Sequence, residues 1–69
     1  MENFAERLRI CRKNKGLVQE DAAQLLGIRY STYRRYELGG TEPTISAAAR
    51  MADFFEVSLD YLAGRSDTP

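Results

Sequence analysis

Two adjacent arginines, Arg34 and Arg35, follow Arg29, Tyr30 and Ser31 within one short stretch. A guanidinium presents planar, forked N–H donors that match the O6 and N7 acceptors of guanine or the oxygens of a phosphate. Tyrosine adds a ring that packs on a thymine methyl and a hydroxyl that bonds a phosphate. Helical spacing puts Tyr30, Ser31, Arg34 and Arg35 on one face. The chemistry on offer is recognition of an anionic, hydrogen-bonding surface; the plainer alternative is a solvated, charged helix face. Other chemistries lack their residues. Histidine is absent and Cys11 is the only thiol, so no metal site and no nucleophile with its base can be assembled. With no phosphate loop either, neither enzymatic activity nor a cofactor is expected.

The 69 residues carry ten basic and ten acidic side chains, a balance that on its own argues against a polyanionic partner. Their distribution argues differently. Arg7, Arg9, Arg12, Lys13 and Lys15 outweigh Glu2 and Glu6, and Arg29, Arg34 and Arg35 outweigh Glu37. Glu20 and Asp21 lie between these groups. From residue 38 onward Glu42, Asp53, Glu56, Asp60 and Asp67 outweigh Arg50 and Arg65. A chain of this length is expected to be one domain, 1–69, with 65–69 a frayed tail. No apolar run reaches membrane-span length and no signal-peptide pattern follows Met1. A lone cysteine fits a reducing setting, so the expected location is cytoplasmic, at the nucleoid if the partner is DNA.

Turn residues divide the chain into five helical segments, and no stretch alternates with strand periodicity: the fold class is all-α. Asn3 with Glu6 has the form of a capping box ahead of Phe4, Leu8 and Cys11, and Gly16 ends that segment. Val18, Ala22, Leu25 and Leu26 form a second apolar stripe, closed by Gly27. A third segment runs from Tyr30 to Leu38 and stops at Gly39-Gly40. Thr44 caps a fourth, with Ala48, Met51, Ala52 and Phe55 inward. Ser58 caps a last short helix, Leu59 to Ala63, before Gly64. Cys11 is expected to be packed and inert.

The second and third segments, joined through Gly27 and together about 20 residues long, form a helix-turn-helix from roughly Val18 to Glu37. Ala23 allows the two helices a close approach. Ile28, Tyr33 and Tyr36 turn back to the core, which leaves Tyr30, Ser31, Arg34 and Arg35 facing out.

Segment 4–64 resembles the Cro and phage-repressor family of helix-turn-helix proteins, also called the xenobiotic-response-element family. The resemblance rests on Phe4-Ala5-Glu6-Arg7-Leu8-Arg9, Gly16-Leu17-Val18-Gln19-Glu20, Ala23-Gln24-Leu25-Leu26-Gly27-Ile28 and Arg35-Tyr36-Glu37. It continues through Glu42-Pro43-Thr44 and Val57-Ser58-Leu59-Asp60-Tyr61-Leu62-Ala63-Gly64. It implies a five-helix, lambda-repressor-like domain that lays its third helix in the major groove of double-stranded DNA as a transcriptional regulator, expected to be a repressor. It carries Gln19 over as a phosphate contact and Tyr30, Ser31 and Arg35, with Arg34 beside them, as base-edge positions. Thr32 and the Gly40-Thr41 loop correspond to backbone contacts. Arg12 and Glu37 match a partly buried framework ion pair. A single small domain on one half-site gains limited affinity, so a homodimer on a palindromic operator is also expected, formed on DNA through the C-terminal half with residues such as Phe54 and Tyr61.

Three positions depart from the family pattern. Val18 and Arg29 stand where Ser or Thr usually caps the second and third helices; Arg29 brings a charge to the phosphates in exchange. Glu56 stands at a turn that usually carries glycine, so a positive φ is expected there. Ile10 and Phe54 are larger or more apolar than the pattern and fit either a core or a dimer face. The competing function is an antitoxin-like protein-interaction module on the same fold, which the zero net charge favours and the arginines do not.

Overall fold

The computed structural model describes residues 1–69 as five helices without strands: α1 (Phe4–Asn14), α2 (Gln19–Leu26), α3 (Tyr30–Leu38), α4 (Ile45–Phe55) and α5 (Leu59–Leu62). Helix α1 packs on α3 and α5, α2 on α3 and α4, and α4 on α5. One core results, made of Phe4, Leu8, Cys11, Ala22, Ala23, Leu26, Tyr33, Ala48, Met51, Ala52, Phe55 and Leu62. Leu17, Ile28, Tyr36, Phe54, Val57 and Tyr61 close its edges. Phe4 meets the edge of Tyr36 at 6.3 Å, which fixes α1 against the outer end of α3. No helix is long and apolar enough to cross a membrane.

Most helix ends follow their residues, and the departures lie at Asn3, in the stripe of α2 and at the end of α5. Thr44 and Ser58 are in extended conformation, and their hydroxyls accept from Ala47 N–H and Tyr61 N–H. Val18 and Arg29 also precede helices, but neither supplies a side-chain cap bond. Glu56 ends α4 with φ 59°, as the departure from glycine implies. The first departure is Asn3. Its φ of 60° puts it in the left-handed region and its side chain makes no cap bond, so the expected capping box does not form. The second is the stripe of α2. Ala22, Ala23 and Leu26 are buried, whereas Val18 and Leu25 are 61% and 62% exposed. Eight residues of helix are narrow enough that α3 and α4 cover only the small face. The last helix also stops one residue early, with Ala63 as its cap.

Beyond α5 the chain folds back along α1. Arg7 donates to the carbonyls of Tyr61 (2.9 Å) and Ser66 (2.6 Å) and to Asp67 Oδ1 (2.8 Å), with its guanidinium 4.2 Å from the Tyr61 ring centre. Ser58 donates to Thr68 O at 3.4 Å. Ser66, Asp67 and Thr68, within the segment expected as a frayed tail, thus carry tertiary contacts. Gly64 is required where it stands: its φ is +82° and a Cβ would lie 1.9 Å from Glu2 O.

Candidate nucleic-acid interface

The α2–α3 angle is set by the turn between them. Gly27 adopts φ 72°, ψ 29°, and Ile28 N–H returns to Ala23 O at 2.9 Å. The fully buried Ala23 places no bulk at the crossing. From α4, Arg50 Nη2 donates to Leu26 O at 2.5 Å, capping the end of α2 at the turn. Sequence spacing gave no hint of Arg50, because a long side chain reaching a backbone carbonyl leaves no periodic mark.

Helix α3 divides cleanly. Tyr33 and Glu37 are buried, Thr32 and Tyr36 half-buried, and Tyr30, Ser31, Arg34, Arg35 and Leu38 exposed. Arg29 is exposed at its N-terminus, and Gly40 and Thr41 are exposed beyond its C-terminus. Of the chain's five other arginines, four are committed to the framework, Arg7 to the tail, Arg9 to Glu37 O, Arg12 to Glu37 and Arg50 to Leu26 O, while Arg65, beyond α5, is exposed. Arg29, Arg34 and Arg35 have no hydrogen-bond or ion-pair partner in the chain. Three cations with no internal partner therefore border the outward face of α3.

Beneath that face lies the ion pair. Arg12 Nε donates to Glu37 Oε2 at 2.8 Å and Arg12 Nη2 to Oε1 at 3.1 Å, while Arg12 Nη1 donates to Leu17 O at 2.9 Å. Glu37 is 2% exposed. Burial by itself would raise its pKa; hydrogen bonds from Arg12 and Gln19 outweigh that and hold the carboxyl below its ordinary range. The same bond to Glu37 raises the Arg12 pKa. Burial, then the neighbouring Glu37 charge, pushes the Tyr33 phenol up. The Tyr33 hydroxyl is buried and closes no hydrogen bond of normal geometry, although Glu37 acts on it electrostatically. Cys11 is buried, and its thiol is likewise raised by burial. No three His, Cys, Asp or Glu side chains come together as a metal-binding group.

Gln19 is the site residue whose placement sequence reasoning did not anticipate. It opens α2, half-buried, and its Nε2 donates inward to Glu37 Oε1 at 3.0 Å. It is thereby joined to α3 and, through Arg12, to α1. The structure brings Gln19, Arg29 and the Tyr30, Ser31, Thr32, Arg34, Arg35 segment onto the α2–α3 unit, and leaves Gly40 and Thr41 in the loop leading to α4. Phe54 and Tyr61, expected at a dimer face, are half-buried. Phe54 is stacked edge-on against Phe55 and lies under Lys15, and Tyr61 lies under Arg7.

Residues 8–62 match the helix-turn-helix family profile. The chain belongs to that family, and with it to the Cro and phage-repressor type. It is 44% identical over 59 residues to the uncharacterized HTH-type transcriptional regulator YqaE of Bacillus subtilis (strain 168), an alignment covering 86% of this chain and 51% of that protein. It is 38% identical over 60 residues to the cryptic phage CTXphi transcriptional repressor RstR of Vibrio cholerae, covering 87% and 54%. To the uncharacterized HTH-type transcriptional regulator YazB of Bacillus subtilis (strain 168) it is 37% identical over 62 residues, covering 90% of each. The chain thus spans about half the length of YqaE and RstR. No solved structure matches it significantly.

Proposed function

We propose that this helix-turn-helix chain binds double-stranded DNA sequence-specifically and represses transcription, with α3 lying in the major groove. The observation that supports this is the division of labour among the arginines. Those inside the framework are engaged by carbonyls and carboxylates, whereas Arg29, Arg34 and Arg35 are left free around Tyr30 and Ser31. An array of unpaired donors on a narrow, exposed helix is what base edges and phosphates require. Arg35, with Tyr30, Ser31 and Arg34, reads bases; Arg29, Gln19, Thr32 and the Gly40-Thr41 loop hold phosphates. The similarity to proteins named transcriptional regulators, one of them a phage repressor, supports the same reading. The location that follows is the cytoplasm, at the nucleoid.

The body measures 27 × 23 × 18 Å, less than the roughly 34 Å of one helical turn of DNA. One copy therefore reads one half-site, and a homodimer on a palindromic operator supplies the second. Leu38 and Ile45, each 72% exposed on either side of the Gly40-Thr41 loop, offer apolar area for contact between copies.

Selection from a random duplex pool tests both parts. The expected result is an enriched palindromic sequence that sediments with two chains per duplex. Weak, salt-sensitive binding without enrichment would overturn it and favour the antitoxin-like role, in which the α3 face docks a protein.

A further inference from the structure

We infer that the buried Arg12–Glu37 pair acts as a positioning device for Gln19, holding its side-chain amide at the DNA surface as well as stabilising the fold. The inference rests on the DNA-binding reading above but assigns a role that it does not contain. Gln19 is the first residue of α2, and its side chain reaches across to α3 rather than to its own helix. Its Nε2 donates to Glu37 Oε1 at 3.0 Å. The acceptor cannot move, because Arg12 holds both carboxylate oxygens, at 2.8 and 3.1 Å, and Arg12 is itself anchored on Leu17 O. Arg9 adds a bond to the carbonyl of the same glutamate.

An amide nitrogen carries two hydrogens. One is committed to Glu37; the other, with the half-buried amide already oriented, is available to a phosphate. A free glutamine would have to give up rotamer freedom on binding, and here folding has already removed it. Glu37 and Arg12 touch no DNA in this scheme. They are positioning residues that act through Gln19.

The test is a thermodynamic cycle on the full chain, read as affinity for its selected duplex and for a scrambled one at a temperature where every variant is folded. Gln19→Ala should weaken cognate binding about five- to tenfold in the native background, the loss of one hydrogen bond. In a background with the pair replaced by apolar residues (Arg12→Met with Glu37→Leu), the same change should cost less than about twofold, because the unheld amide gives little to lose. Equal losses in both backgrounds, or no loss in the native one, would overturn the inference. A merely structural pair would lower the melting temperature without this coupling.

A second measurement needs no DNA and no folded variant. The chain has two glutamines, Gln19 and the exposed Gln24. In the wild type, the Gln19 side-chain amide protons should be shifted from those of Gln24 and show Overhauser contacts to the Arg12 guanidinium. A Gln19 pair indistinguishable from Gln24 would contradict the proposed hold. If the wild type lacks sequence preference, the DNA-binding reading fails, while this spectrum still decides whether the amide is held.

Discussion

Replacing Glu37 by glutamine removes one charge from a pair whose carboxylate is 2% exposed and whose arginine side chain is 12% exposed. Glutamine keeps the size and one acceptor, so little packing is lost. What remains is Arg12 facing an uncharged amide, with one of its two charge-assisted bonds gone. Breaking a fully buried pair on one side costs about 3–5 kcal/mol. Arg12 lies at the edge of the core, where water reaches it, which argues for the lower end, about 3 kcal/mol. Total stability for a chain this size is on the order of 3–10 kcal/mol, so the variant should lose about a third of it or more. At roughly 4–8 °C per kcal/mol, the melting temperature should fall by about 12 °C or more. Circular dichroism against heat and urea measures it, with the exposed Glu20→Gln as control, expected to stay within about 0.5 kcal/mol of wild type. The double replacement Arg12→Met with Glu37→Leu should recover most of the loss, because no charge is then stranded. Equal effects of Glu37→Gln and Glu20→Gln would refute the reasoning. The pair also sets a pH dependence. The folded pKa of Glu37 is below its unfolded value, so the unfolded chain binds the proton first as pH falls. The contribution is complete above the unfolded pKa, about 4.3, and is lost as pH falls through the folded one. The double replacement should flatten that acid limb, and an unchanged limb would contradict the assignment.

Two further substitutions follow from the backbone. Glu56→Gly should stabilise the chain by about 0.5–1 kcal/mol, since φ 59° strains a residue with a Cβ; urea midpoints would show the gain, and a loss would mean the glutamate side chain contributes more than the strain. Gly64→Ala should destabilise strongly, by about 2 kcal/mol or more, because φ is +82° and the new methyl would meet Glu2 O at 1.9 Å. A melting temperature within a few degrees of wild type would show that the N-terminal residues yield freely.

Much of this architecture was legible in the sequence because short helices announce their ends. Thr44 and Ser58 cap as their types demand, and Gly27 and Gly39 stop α2 and α3 in the left-handed conformation that only glycine adopts cheaply. Tyr33 was correctly placed inside and Tyr30 outside by periodicity alone. The failures have physical causes. Asn3 has the composition of a cap, but its left-handed backbone withholds the side chain from the helix end. Val18 and Leu25 are apolar at helical spacing, yet the neighbouring helices cover only the alanine face. The arginine framework was legible only in part. Arg12 with Glu37 followed from family resemblance, while Arg7, Arg9 and Arg50 donate to backbone carbonyls, which every residue carries and no pattern marks. The bond of Gln19 to Glu37 left no mark either, because nothing in its spacing reveals a partner 18 positions away.

The central claim is that α3 reads bases while its flanks hold phosphates. It is tested most directly by comparing Arg35→Ala with Arg29→Ala on the selected duplex and on scrambled DNA across a range of salt. Arg35→Ala should cost roughly 1–3 kcal/mol on the selected site and relax preference at one base pair, because a bidentate base contact is lost. Arg29→Ala should weaken binding to both duplexes alike and lower the salt slope by about 1, because only a phosphate contact is lost. If both variants lose the same affinity on both duplexes, with no base pair relaxed, α3 is not reading sequence and the account is wrong.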